Sequence, residues 1–108
     1  MSTEVMEALH AMVDRIVSVF QPEKVILFGS LSRGDAGADS DIDLLVITEV
    51  NGSRRQMAVE MRMTISDISV PKDIVILTPA EMDAYQDVVG HIAYTASREG
   101  KVLYERAA

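Results

Sequence analysis

Val25-Ile26-Leu27-Phe28-Gly29-Ser30, then ten residues, then Asp41-Ile42-Asp43-Leu44-Leu45-Val46-Ile47, is the stretch that decides how this chain folds. The apolar run from Val25 to Phe28 is bounded by Pro22 and Gly29 and predicts a strand covered on both faces. Ile42 to Ile47 predicts a second strand. Between them, Gly29 to Ser40 carries three glycines and little that fills a core, which predicts a loop or a short helical turn.

Upstream, Val5, Leu9, Met12, Val13, Ile16, Val17 and Phe20 recur at helical spacing and predict an amphipathic helix ending before Pro22. Downstream, Glu49-Val50-Asn51-Gly52 has turn chemistry. Ser53 then caps a predicted helix whose apolar positions include Met57, Met61, Ile65 and Ile68, and which stops before Pro71. Asp73-Ile74-Val75-Ile76-Leu77 predicts a third strand, and Thr78-Pro79-Ala80-Glu81 supplies a cap, a first-turn proline and a capping-box glutamate. Val88, Val89, Ile92, Ala93 and Ala96 predict a last helix over 88–99, stopped by Gly100, with Val102-Leu103-Tyr104 as a short tail. Helices alternate with strands, so the expected class is α/β or α+β.

The chain of 108 residues has room for one core, since a polypeptide of this size buries roughly 60–70% of its unfolded surface. One domain, residues 1–108, is expected, with no separate substrate-binding domain. Hydrophobic residues make up 48% and charged residues 25%, a globular composition. Ten basic side chains against 17 acidic ones give a net charge of -7, which repels a phosphate backbone and argues against nucleic acid as partner. There is no cysteine, which excludes disulfides and thiolate metal sites. Met1 to Glu7 lacks a secretory pattern and no apolar stretch approaches the roughly 20 residues of a membrane span, so a cytoplasmic setting without membrane contact is expected.

Gly29-Ser30-Leu31-Ser32-Arg33-Gly34 follows a buried strand at a sharp turn. Glycine lets backbone amides approach an anion and the Ser30 hydroxyl adds a donor, so the turn can cradle phosphate. It is not a P-loop, because Asp35 and Ala36 stand where Lys and Ser or Thr are required. Nor do Asp39, Asp41 and Asp43 begin an EF-hand, because Leu44 stands where glycine belongs and Val50 where glutamate does.

Asp41 and Asp43 lie two apart at the mouth of a strand, so both project from one face with Cα atoms roughly 7 Å apart. Such a pair can offer oxygen ligands to a hard cation such as Mg²⁺. The pair also reads as an exposed strand start dressed with charge, against which stands Asp43, an acid followed directly by four apolar residues. If the second and third strands are neighbours, Asp73 joins them, and three clustered carboxylates make sense mainly with metal bound. Alone, Asp73 reads equally as a solvated strand-end charge, as Arg33 does as a surface arginine.

Gly29-Ser30, ten residues, then Asp41-Ile42-Asp43 resembles the signature of the polymerase-beta-type nucleotidyltransferase superfamily. Leu27-Phe28-Gly29-Ser30 with Arg33-Gly34, Ser40-Asp41-Ile42-Asp43-Leu44, and the tail from Tyr94 to Tyr104 are similar to its minimal nucleotidyltransferases, the antitoxin partners of HEPN-domain toxins. The resemblance covers nearly the whole chain. It implies a small mixed β-sheet flanked by helices, with Gly29, Ser30 and Arg33 binding the nucleoside triphosphate. It further implies that Asp41, Asp43 and Asp73 bind two Mg²⁺ ions, with Asp73 also taking the acceptor's proton.

The implied activity is transfer of AMP from ATP to a hydroxyl of a partner protein, a HEPN toxin. The alternatives are a non-catalytic antitoxin that binds nucleotide and acts by docking alone and, more distantly, a small-molecule nucleotidyltransferase. The presence of Ser30, Asp41, Asp43 and Asp73 favours the enzyme, while the lack of a helical domain after Leu77 leaves the acceptor surface to a partner. His10 and His91 have no second histidine at ligand spacing, and Met57, Met61 and Met63 read as core or contact residues; none of these is expected in the site.

Overall fold

The computed structural model describes residues 2–29 and 41–107. Helix α1 (Thr3–Phe20) begins where the Ser2 side chain accepts from the Val5 N–H at 3.2 Å. It ends at Gln21, in the left-handed region at φ 49°, just before Pro22. Strand β1 (Lys24–Phe28) and strand β2 (Ile42–Ile47) follow, as the two apolar runs predict. Helix α2 (Arg54–Thr64) starts on Ser53, whose side chain accepts from Gln56 N–H at 3.1 Å. It is shorter than expected: Ile65 and Ile68 fall in the turn beyond it, although Ile65 is still fully buried.

Strand β3 (Lys72–Leu77) leads into helix α3 (Pro79–Tyr85) through the expected capping box. Glu81 N–H donates to Thr78 Oγ1 at 3.1 Å, and Thr78 N–H to Glu81 Oε1 at 2.9 Å. Two expectations are corrected at the end of the chain. The last helix, α4 (Ile92–Glu99), starts at Ile92 and not at Val88, because Gly90 at φ 92° breaks the chain and His91 is the cap, its Nδ1 accepting from Ala93 N–H at 3.0 Å. The tail is a strand, β4 (Lys101–Glu105), paired on the free side of β1.

The sheet order is β3-β2-β1-β4, with β1 antiparallel to both neighbours except for a bulge near Val25 and Ile26, and β2 parallel to β3. It is therefore the mixed sheet flanked by helices that was expected. One face carries Val25, Leu27, Ile42, Leu44, Val46, Ile74 and Ile76 against α1 and α2, through Leu9, Met12, Ile16 and Met61. The other carries Ile26, Leu45, Ile47 and Leu77 against α4, through Ala93 and Ala96, with Met82 of α3 at its margin. Burial on both faces is why Val25 to Phe28 and Leu44 to Ile47 read as continuous apolar runs rather than alternating ones. Gly100 allows α4 to close on β1, since a Cβ there would stand 2.4 Å from Ala96 O and 2.5 Å from Ile26 Cγ2. Among the described residues no helix is long and apolar enough to cross a membrane.

Candidate active site

Residues on a strand alternate between faces, so Asp43 shares its face with Leu45 and Ile47, at the end of β2 where that face opens. The parallel register pairs Asp43 with Asp73, as it pairs Leu45 with Val75, which places both acids at the same end of adjacent strands about 4.8 Å apart. Asp41 lies one residue ahead of β2 and is exposed. Across the antiparallel ladder Asp43 faces Phe28, the last residue of β1, and Gly29 follows it.

Gly29 has two reasons to be glycine. Its φ is +79°, in the left-handed region, and a Cβ there would stand 2.5 Å from Asp43 Oδ2. The turn leaving β1 is therefore shaped around the carboxylate of β2. Burial, and after it the negative charges of Asp41 and Asp73, push the Asp43 carboxyl above the usual carboxylate range. An acid held half-buried among acids is a place where positive charge is missing, and all the donors are hard oxygens, so the set fits a divalent cation of the Mg²⁺ type.

Asp73 is held differently. Its Oδ1 accepts from the N–H of Ile74 at 2.9 Å and lies 3.7 Å from Nη2 of Arg62, whose Nη2 also donates to Ile74 O at 3.1 Å. Among the described residues no three acids or histidines close tightly enough to enclose a cation by themselves. The fold thus brings Asp41, Asp43 and Asp73 to one end of the sheet with Gly29 packed on Asp43, while the carboxylate of Asp73 leans to the sheet edge. Ser30 and Arg33, the other two expected phosphate-binding residues, lie outside the described residues. The two histidines are elsewhere: His10 is exposed on α1, and His91 caps α4 and stacks on Tyr85 with ring centroids 4.5 Å apart.

Sequence reasoning missed Arg62. Its neighbour Met61 was legible as core, and the only signal for Arg62 was that it follows a core residue on the helix that precedes β3.

The family described as "Polymerase beta, Nucleotidyltransferase" matches residues 13–108. No curated protein sequence matches the chain significantly. Among solved structures, a candidate nucleotidyltransferase from Sulfolobus solfataricus is similar over 98% of this chain and 91% of its own, with 21% identity and a TM-score of 0.59. A toxin–antitoxin structure with AMP-PNP is similar over 95% of this chain and 72% of its own, with 23% identity and a TM-score of 0.50. A mutant of the MntA–HpeT toxin–antitoxin has the same coverage, 19% identity and a TM-score of 0.54. At these identities the likeness concerns the fold.

Proposed function

Because this chain belongs to the polymerase beta nucleotidyltransferase family, we propose that it transfers AMP from ATP, with Mg²⁺, to a hydroxyl of a partner protein, and that the partner is a HEPN-domain toxin for which it is the antitoxin. The observation that carries the reading is the packing of Gly29 on Asp43, with Asp73 in register beside it: a missing side chain and a left-handed turn are spent on seating one ionisable group. Residues 1–108 would act as a single nucleotidyltransferase domain in the cytoplasm.

Each residue then has a task. Asp41 and Asp43 present carboxylate oxygens to the cations, and Asp73 adds a third. When bound, the two cations neutralise the charge that develops on the triphosphate. The turn at Gly29 and Ser30, with Arg33, holds the phosphates so that the α-phosphorus stays in line with the incoming oxygen. Asp73, nearest the sheet edge, accepts the proton of the acceptor hydroxyl. Transfer of AMP forms an ester bond from acceptor oxygen to α-phosphorus and releases pyrophosphate.

The partner enters because two of the similar structures are toxin–antitoxins, one holding AMP-PNP. Once phosphates and cations fill the end of the sheet that carries Asp41, Asp43 and Asp73, the domain has few walls left to fix an acceptor. The test is mass spectrometry of a cognate HEPN protein mixed with this chain, ATP and Mg²⁺. One or more AMP units on the partner, absent with Asp41→Asn, is the expected result. Toxin inhibition by Asp41→Asn with no added mass would replace it with the docking-only antitoxin.

A further inference from the structure

We propose that Arg62 is a positioning residue that holds the carboxylate of Asp73 until a divalent cation takes it. The inference rests on the reading of Asp41, Asp43 and Asp73 as one cation-binding set.

The geometry begins with the backbone. Ile42 N–H donates to Pro71 O at 2.9 Å, which turns the odd-numbered residues of β3 toward β2. The N–H and C=O of Ile74 therefore point to the open edge of the sheet. Asp73 Oδ1 accepts from that N–H, and Arg62 donates to that C=O. Arg62 comes from α2, which covers the opposite face from Asp73, and so reaches around the edge strand to stand 3.7 Å from Oδ1. The backbone of one residue, Ile74, thereby fixes acid and base side by side at the rim, while Asp43 is the register partner of Asp73 on the inner strand.

The pair is strong enough to orient and weak enough to yield. Its side chains are 53% and 59% exposed, where water screens an ion pair to a modest value, and a divalent cation among three carboxylates outcompetes one guanidinium. One effect follows from taking the guanidinium's charge away. Cation binding tightens, because a repelling charge is gone and Asp73 is free to turn inward. An arginine that only braces α2 against β3 does not predict this.

The test is Mn²⁺ titration of the metal-free protein at low salt without nucleotide, read by calorimetry. Arg62→Gln keeps an amide N–H for Ile74 O and should tighten Mn²⁺ binding by about three- to fivefold, the size expected of one exposed charge pair. Arg62→Lys, which keeps the charge, should bind as the parent does. In an Asp73→Asn background Arg62→Gln should change nothing. Arg62→Met is the second neutral variant should Arg62→Gln misfold, with circular dichroism as the check. Unchanged or weaker Mn²⁺ binding in the folded neutral variant, or the same gain without Asp73, overturns the proposal. Asp43→Asn separates the two readings: if it loses Mn²⁺ while Arg62→Gln gains nothing, only the role of Arg62 falls. If Asp43→Asn binds as the parent does, the cation site falls and the role of Arg62 with it.

Discussion

Of the six residues of β2, Ile42, Leu44 and Val46 face α1 and α2, whereas Asp43, Leu45 and Ile47 face the side of α4. The first face is apolar along its length and roofed by Met12, Ile16 and Met61, all fully buried. The second is roofed by the small Ala93 and Ala96 and ends in an acid. The first face holds the strand down with large side chains. The second uses small ones, which lets α4 lie close, and gives its open end to chemistry. One strand can serve both purposes because its side chains alternate.

The largest effect expected from this contrast is on the packed face. Leu44→Ala should cost about 2–5 kcal/mol, the range for deleting a large side chain from a tight core, in chemical denaturation. Leu45→Ala should cost less: Leu45 is also fully buried, but the helix over it presents only the small Ala93 and Ala96. A greater loss at Leu45 would reverse the assignment of the two faces.

A smaller effect sharpens the chemical end. Gly29 and Gly52 both have positive φ, at +79° and +88°, but only at Gly29 would a Cβ meet anything within 4 Å. Each alanine substitution should cost about 1–2 kcal/mol for the left-handed backbone. Only Gly29→Ala should also weaken Mn²⁺ binding, by displacing the Asp43 carboxylate. Equal Mn²⁺ affinity in the two variants would mean that the close packing of Gly29 on Asp43 has no functional meaning.

The smallest effect has an unusual sign. Burial first, then Asp41 and Asp73, raise Asp43 above its unfolded value, so through that window the folded chain holds more protons and stability falls as pH rises. Above it, the ionised Asp43 is a cost that folding bears. Metal-free Asp43→Asn should therefore melt higher than the parent near neutral pH, and the gap should close as pH falls to the ordinary carboxylate range. Melting curves across pH with chelator decide it; a gap constant with pH would trace the gain to something other than ionisation.

Much of this was legible from residues. The two apolar runs, the caps Ser53 and Thr78, and an acid opening a buried strand are local signals, and the structure has them where they were expected. What depended on distant neighbours was not. Val88 and Val89 have helical spacing with Ile92, yet both are exposed, because Gly90 breaks the chain between them and α4. Val102 to Tyr104 is a strand only because β1 has a free side, which nothing within the tail announces. From the sequence Asp73 reads equally as surface charge, since only the parallel pairing of β3 with β2 puts it beside Asp43, and Arg62 reaches it around a sheet edge that no spacing along the chain can show.

The same edge has a consequence for the protein in a crowded solution. β3 is the outermost strand on its side, and an outermost strand presents unpaired N–H and C=O groups that invite a strand from another molecule. At Ile74 both groups are already spoken for, by Asp73 and Arg62, and any strand laid alongside would meet two charged side chains at that rung. The acid proposed for chemistry thus also puts charge on the edge of the sheet, and variants that remove it leave that rung less guarded against self-association.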